Sequence, residues 1–197
     1  MPILSRAFYA RPALEVARNL LGCRLVRIQN GHRLAGVITE TEAYQGEDDL
    51  GCHASAGKTP RTSVMYGPPG HAYIYFTYGM HWLINAVTSE EDVPAAVLIR
   101  AIQPVEGQAL MAVNRPYHAQ KHDWTNGPAK LTQAMAIDGQ LNTTDLYSRE
   151  GSLWIENGRS FSDVEVEHTA RIGLNSVPEP WRSIPWRFVV KKGALDG

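Results

Sequence analysis

Cysteine is scarce, with Cys23 and Cys52 the two present among 197 residues. A disulfide framework is thereby excluded as the basis of stability, and a reducing, cytoplasmic setting is expected. Neither cysteine has an evident base partner in the sequence, which argues against thiol nucleophile chemistry. Long apolar runs are missing too: none approaches the roughly 20 residues of a membrane span, and Met1–Tyr9 lacks the pattern of a signal peptide. Excess charge is absent, since 19 basic and 20 acidic residues leave a formal net charge of −1. That balance excludes a protein that coats nucleic acid through bulk charge. There is no Gly-rich phosphate cradle and no Cys-x-x-Cys pair. His118 and His122 stand four apart near Asp123, but their polar stretch supplies no third ligand. No metal and no other cofactor is expected.

What is present is ordinary in bulk and uneven in detail. Hydrophobic residues make up 44% and charged residues 20% of the chain, as in a soluble globular protein of one domain. Acids gather at 40–49 and at Glu90-Glu91-Asp92, while Lys58 and Arg61 precede an aromatic segment and Arg182, Arg187 and Lys191-Lys192 make the last stretch basic. A local basic rim can hold phosphates even at a net charge near zero.

Periodicity and turn residues predict a helix over 12–21, with Gly22 beyond its end. Strands follow over 23–29 and 34–44, joined around Asn30-Gly31. Residues 45–70, rich in Gly, Pro and acid, read as an irregular functional loop. A hairpin is expected over 73–87, then a short strand over 96–102 and helices over 105–113 and 129–137, with 114–126 a polar connector. Further strands are expected at 153–156, 164–167 and 186–190. The fold class this implies is α+β: a single domain on a curved, largely antiparallel sheet with packed helices and a protruding hairpin.

Tyr73-Ile74-Tyr75-Phe76-Thr77-Tyr78-Gly79-Met80 concentrates aromatic rings where a strand meets a turn. A period of two puts Tyr73 and Tyr75 on one face. Gly79 can take a positive φ, which leaves Tyr78 and Met80 near the tip. Rings there suit stacking on a planar ligand, and an aromatic core strand is the plain alternative. On the strand 34–44, Glu40, Glu42 and Tyr44 share a face, as a base beside a stacking surface or as a solvated edge would. Asn85 lies among apolar neighbours and Arg100 ends the run Val97-Leu98-Ile99, so both polar groups need partners or a ligand.

Glu40-Thr-Glu42-Ala-Tyr44, His53, Thr59-Pro60-Arg61, Tyr73-Ile-Tyr75, Tyr78-Gly79-Met80, Asn85, Val97-Leu98-Ile99-Arg100-Ala101 and Gly127-Pro128-Ala129-Lys130-Leu131 together, and in this order, resemble the alkyladenine DNA glycosylase family. These are the 3-methyladenine glycosylases of the mammalian type, which lack a helix-hairpin-helix. The resemblance runs from about residue 3 to about residue 192. It implies an open-barrel-like fold, akin to the C-terminal domain of methionyl-tRNA formyltransferase. The activity implied is that of a monofunctional base-excision enzyme acting on double-stranded DNA. Such an enzyme flips alkylated or deaminated purines, including 3-methyladenine, 7-methylguanine, hypoxanthine and ethenoadenine, and hydrolyses their N-glycosidic bond.

By the same resemblance Glu42 is the general base and Arg100 helps hold the attacking water, which the backbone carbonyl of Ile172 in Arg171-Ile172-Gly173 shares. Tyr44 and His53 would flank one face of the flipped base and Tyr75 the other, with Asn85 discriminating against the exocyclic amine of guanine. Tyr78 would intercalate in the duplex, and Thr59, Arg61, Met80 and Lys130 would make lesser DNA contacts. Tyr73, without a role in the resemblance, is expected in the core. The sequence departs from the mammalian pattern in a shorter, less basic loop after His53 and in His81, where an aromatic is usual. By the same resemblance, the N-terminal extension of mammalian members is not expected here. A minimal prokaryotic enzyme is implied, used at the nucleoid and monomeric, with no obligate protein partner. Two rival readings, a non-catalytic RNA-binding module and a glycosidase of free nucleosides, account less well for Glu42 with Arg100 and for Tyr78 at a tip.

Overall fold

The computed structural model describes residues 1–116 and 124–195; His118, His122 and Asp123 lie outside them. Strand β1 (Arg24–Gln29) turns at Asn30-Gly31 into β2 (His32–Gln45), the longest strand. Asn30 and Gly31 take φ of 50° and 79°, the left-handed pair that a two-residue hairpin turn requires. One edge of β2 pairs along its length with β5 (Ala95–Glu106). Its other edge holds β1 first and then, at Glu40–Glu42, β8 (Arg187–Val190). The hairpin β3 (Ala72–Thr77) and β4 (His81–Val87) joins β5 through Asn85–Val87. At the opposite side β6 (Leu153–Glu156) pairs β1, and β7 (Val166–Thr169) pairs β8. All eight strands are antiparallel, in one strongly curled, half-barrel sheet.

The curl has a local cause. Register shifts on either side of Glu40 leave Thr39 of β2 and Arg100 of β5 outside the ladder. Irregularities of this kind bend a strand and re-aim its side chains, here where β2 changes partner from β1 to β8. The helices α1 (Arg6–Tyr9), α2 (Ala13–Leu20), α3 (Gln108–Asn114) and α4 (Pro128–Ala134) are short. In α2, Val16, Ala17 and Leu20 recur at helical spacing and are fully buried. They share one core with Leu25, Leu34, Ile38, Ile84 and Ile99 of the sheet and Leu131 of α4. The Thr41 hydroxyl donates to the Ala17 carbonyl at 2.8 Å and ties α2 to β2.

Two expectations need correction. The strand expected over 96–102 runs to Glu106 and takes the start of the helix expected over 105–113, which begins at Gln108. Pro104 is compatible with this because β4 pairs only with Ala96–Leu98, so the second edge of β5 is open at that point. The loop over 45–70 is less irregular than composition implies. It contains helical turns at His53–Ala56 and Ser63–Tyr66 and closes over a second small core that includes Cys52, Met65, Tyr73 and Ala96.

Gly22 marks a tight approach just after α2. It has φ 89°, and a Cβ there would lie 2.0 Å from the Arg159 carbonyl oxygen. Gly31 has φ 79° with nothing within 4 Å of such a Cβ. A left-handed backbone costs an alanine about 1–2 kcal/mol, and forced overlap typically adds about 1–3 kcal/mol. In urea unfolding, Gly22→Ala is expected to lose at least twice the stability lost by Gly31→Ala; equal losses would contradict the close packing of these segments.

Candidate active site

A cavity of about 320 Å³ opens between the β3–β4 hairpin, the end of β2 and the segment joining β7 to β8. Tyr44, His53, Tyr75, Asn85, Arg100 and Ile172, all singled out from sequence, line it. They come from four strands, one loop and the β7–β8 connection, so the curl of the sheet is what assembles them.

Glu42 has no exposed surface and lies behind the wall, bonded to three residues that line the cavity, Tyr44, Arg100 and Ile172. Its Oε1 accepts the Ile172 N–H at 2.7 Å, and its Oε2 accepts the Tyr44 hydroxyl at 2.8 Å. Arg100 Nη1 reaches Oε2 at 3.3 Å, while its Nε donates to Glu40 Oε1 at 2.6 Å. Arg187 donates to the same Glu40 oxygen at 2.7 Å. The result is an alternating chain Arg187–Glu40–Arg100–Glu42 rather than a solvated strand face. Burial pushes the Glu42 carboxyl above the ordinary glutamate value, against the pull of Arg100, the Ile172 amide and the Tyr44 hydroxyl. Burial alone would lower the Arg100 pKa, yet Glu42 and Glu40 raise it. Burial and the surrounding donors thus act on this carboxyl in opposite directions, with burial the larger effect.

The walls differ from expectation in one respect. His53 does not share a wall with Tyr44; it meets Tyr75 edge-on, with ring centroids 4.5 Å apart. Two rings in such contact cannot admit a third between them, because aromatic planes stack roughly 3.5 Å or more apart on each side. His53 and Tyr75 are therefore not the two faces of one slot, and Tyr44 lines the cavity as a separate ring. Tyr73 is also more than core. It is nearly buried, but it lines the cavity and its hydroxyl lies 3.0 Å from His53 Nδ1. Asn85 is buried, and its Nδ2 donates to the Tyr73 carbonyl at 2.9 Å, which pins the amide.

At the rim, Tyr78 is 84% exposed and Met80 68% exposed. Tyr78 itself has φ 51° and Gly79 φ 67°, and the Met80 N–H donates to the Thr77 carbonyl. Positive φ at Tyr78, and not only at Gly79 as the sequence suggested, costs about 1–2 kcal/mol. Arg61 sits 5.0 Å above the Tyr75 ring. Thr59 and Lys130 are not at the cavity wall: Thr59 bonds Thr62 within its turn, and Lys130 bonds Asn126 at 2.7 Å on the surface. Among the described residues no group of three His, Cys, Asp or Glu could hold a metal ion.

Sequence reasoning missed a fully buried ion pair behind the wall. Arg171 Nη1 and Nη2 donate to Asp49 Oδ2 and Oδ1 at 2.5 and 2.8 Å. Breaking such a pair by removing one partner typically costs about 3–5 kcal/mol. Arg171 was visible only as a neighbour of Ile172, and Asp49 only as one acid in a run.

Comparison with known proteins places these observations in a family. The Methylpurine-DNA glycosylase (MPG) family model matches residues 7–194. A protein of Carboxydothermus hydrogenoformans is 47% identical over 189 residues, covering 96% of this chain and 95% of its own. One from Methanocella arvoryzae is 47% identical over 191 residues, covering 97% and 94%. A third, from Clostridium acetobutylicum, is 43% identical over 196 residues, covering 95% and 94%. All three are provisionally named 3-methyladenine DNA glycosylase.

The His53 environment generates a pH test of the site. Burial, reinforced by Arg61, lowers its pKa to about 4. The unfolded chain takes up that proton near pH 6.5 and the native state resists it until about pH 4. Its contribution to stability is therefore present above pH 6.5 and lost as pH falls through about 4. In His53→Asn, thermal midpoints should fall less steeply between those pH values than in the wild type. Parallel slopes would contradict a desolvated, neutral His53.

Proposed function

This chain belongs to the methylpurine-DNA glycosylase family, and from that membership and the pocket together we propose that it is a monofunctional repair glycosylase hydrolysing the N-glycosidic bond of damaged purines flipped from duplex DNA. The observation that carries the proposal is the buried Glu42 carboxyl, held by two neutral donors and Arg100, all three of which line an aromatic cavity. Departure of the base from deoxyribose develops oxocarbenium-like charge, as in glycoside hydrolysis. An anion at Glu42 stabilises that charge and accepts a proton from the incoming water. Arg100 and the Ile172 carbonyl orient that water. Burial makes Glu42 a stronger base than an exposed carboxylate, which suits the task.

Tyr44 on one side and Tyr75 with His53 on the other hold the purine. Cationic rings such as 3-methyladenine and 7-methylguanine are favoured by cation–π attraction. A neutral His53 suits the same cations, since an imidazolium at that wall would repel them. Hypoxanthine and ethenoadenine, neutral leaving groups, enter the same pocket but need protonation to leave. The pinned Asn85 amide discriminates against the guanine amine. Damaged bases also unpair more easily, so the flipping cost of a few kcal/mol selects for them. Tyr78 fills the gap in the duplex: a tyrosine held exposed on a left-handed turn gives the fold nothing, and it stands where a wedge is needed. Met80 beside it, Arg61 over the Tyr75 ring, and Thr59 and Lys130 contribute lesser DNA contacts. The proposed reaction ends at hydrolysis and leaves an abasic site, with no Schiff-base step in it. One flipped base needs one chain, and the whole chain acts as a single monomeric domain.

Glu42→Gln should bind lesion duplexes as the wild type does and lose roughly 10²–10⁴-fold in single-turnover excision, the span of general acid–base contributions. Excision by this variant at a near-wild-type rate would show that Glu42 is not the base. Tyr78→Ala should weaken lesion-duplex binding by about 1–3 kcal/mol in a titration. Release of 3-methyladenine from the free nucleoside as fast as from the duplex would instead favour a nucleoside hydrolase.

A further inference from the structure

We propose that the buried Asp49–Arg171 pair is the positioning element of the Glu42 centre, holding in register the two neutral donors that orient its carboxylate. Arg171 does not touch Glu42. Its Nη1 donates to the carbonyl of Ala43, the residue between Glu42 and Tyr44, at 3.0 Å. Its guanidinium carbon lies 4.7 Å from the Tyr44 ring centre and 5.2 Å from that of Trp186. Its Nη2 also donates to the Trp181 carbonyl at 3.2 Å. The next residue along the chain is Ile172, whose N–H is the donor on Glu42 Oε1. One guanidinium therefore grips the strand that carries Glu42, covers the ring whose hydroxyl bonds Oε2, and anchors the segment whose amide bonds Oε1.

Asp49 completes the device. Its oxygens hold Arg171 in a two-point fork and also accept the N–H groups of Gln45 and Gly51. The loop that ends in His53 and the segment that carries Ile172 are thus locked to each other. Gly51 leaves room for this lock, because a Cβ there would lie 2.7 Å from Arg171 Nη2. The pair is fully buried, which is costly for two charges. A lysine can offset the Asp49 charge but supplies neither the planar fork nor flat stacking on a ring.

The inference rests on the assignment of Glu42 as base. Around Glu42 the charged and titratable groups are Glu40 and Tyr44 on β2, Arg100 on β5 and Arg187 opposite it on β8, with Tyr75 across the cavity. The Ile172 amide and the Tyr44 hydroxyl lower its pKa. Loosening them raises it, so the acid limb of the excision rate moves to higher pH.

Arg171→Lys and Asp49→Asn test this in the full chain. Each is expected to fold and to bind a lesion duplex within about threefold of the wild type. Single-turnover excision should fall roughly 10- to 100-fold at neutral pH, somewhat less than for loss of a donor at an oxyanion site. The acid limb should shift upward in both, with part of the rate recovered at alkaline pH. A merely structural pair would lower the melting temperature and leave the acid limb in place, and that result overturns the proposal, as does wild-type excision by both variants. Should Arg171→Lys fail to fold, Asp49→Asn decides by the same readouts. The underlying assignment fails separately: an active Glu42→Gln removes it whatever the Arg171 variants do. An inactive Glu42→Gln beside an unshifted Arg171→Lys removes the positioning role alone.

Discussion

The rest of the site depends on keeping one carboxylate out of water without neutralising it. Glu42 has no exposed surface, and an uncompensated anion in such a place would simply bind a proton. Three donors of different kinds oppose this: a backbone amide, a phenol and a guanidinium. Each arrives from a different part of the chain, so the ionisation of one side chain makes demands on the whole fold. Burial outweighs them and pushes the Glu42 carboxyl above the ordinary glutamate value. That balance is useful for proton abstraction and makes the centre sensitive to small displacements of its donors.

β2 meets those demands because it is paired on both edges and changes partner midway. The irregular register around Glu40 lets Glu40 and Glu42 share Arg100, while β8 brings Arg187 to the outer carboxylate. Curling the sheet at this point also brings the β3–β4 hairpin over the end of β2, so that Tyr75 and Tyr44 border one cavity. Tyr44 and Tyr75 are half-buried, whereas the ring at the hairpin tip is left in water on a strained turn. A single hairpin thereby carries part of the cavity wall and an exposed ring at its tip.

Local signals in the sequence went far. Alternating aromatics with Gly79 marked the hairpin, and Asn30-Gly31 marked the turn between β1 and β2. Asn85 and Arg100 stood out because polar groups in apolar surroundings need partners, and Glu42 because it shares a strand face with Tyr44; all three prove buried in or beside the cavity. What stayed hidden was set by distance along the chain. Arg171 and Asp49 are separated by 122 residues, and Arg187 and Glu40 by 147. No period of two or 3.6 carries such pairings. The side of the cavity that His53 takes was likewise beyond local reasoning, because it depends on how a loop closes over Tyr73 and Tyr75.

The central claim is that Glu42 is an ionised base whose protonation switches the enzyme off, and direct titration of that carboxyl tests it. Carbon-13 NMR of glutamate-labelled protein, with Glu42→Gln to assign the resonance, would follow its charge against pH alongside single-turnover excision. The account expects a midpoint above the ordinary glutamate value that coincides with the acid limb of the rate. A carboxyl that stays protonated where excision is fastest, or a midpoint unrelated to the rate, would contradict it.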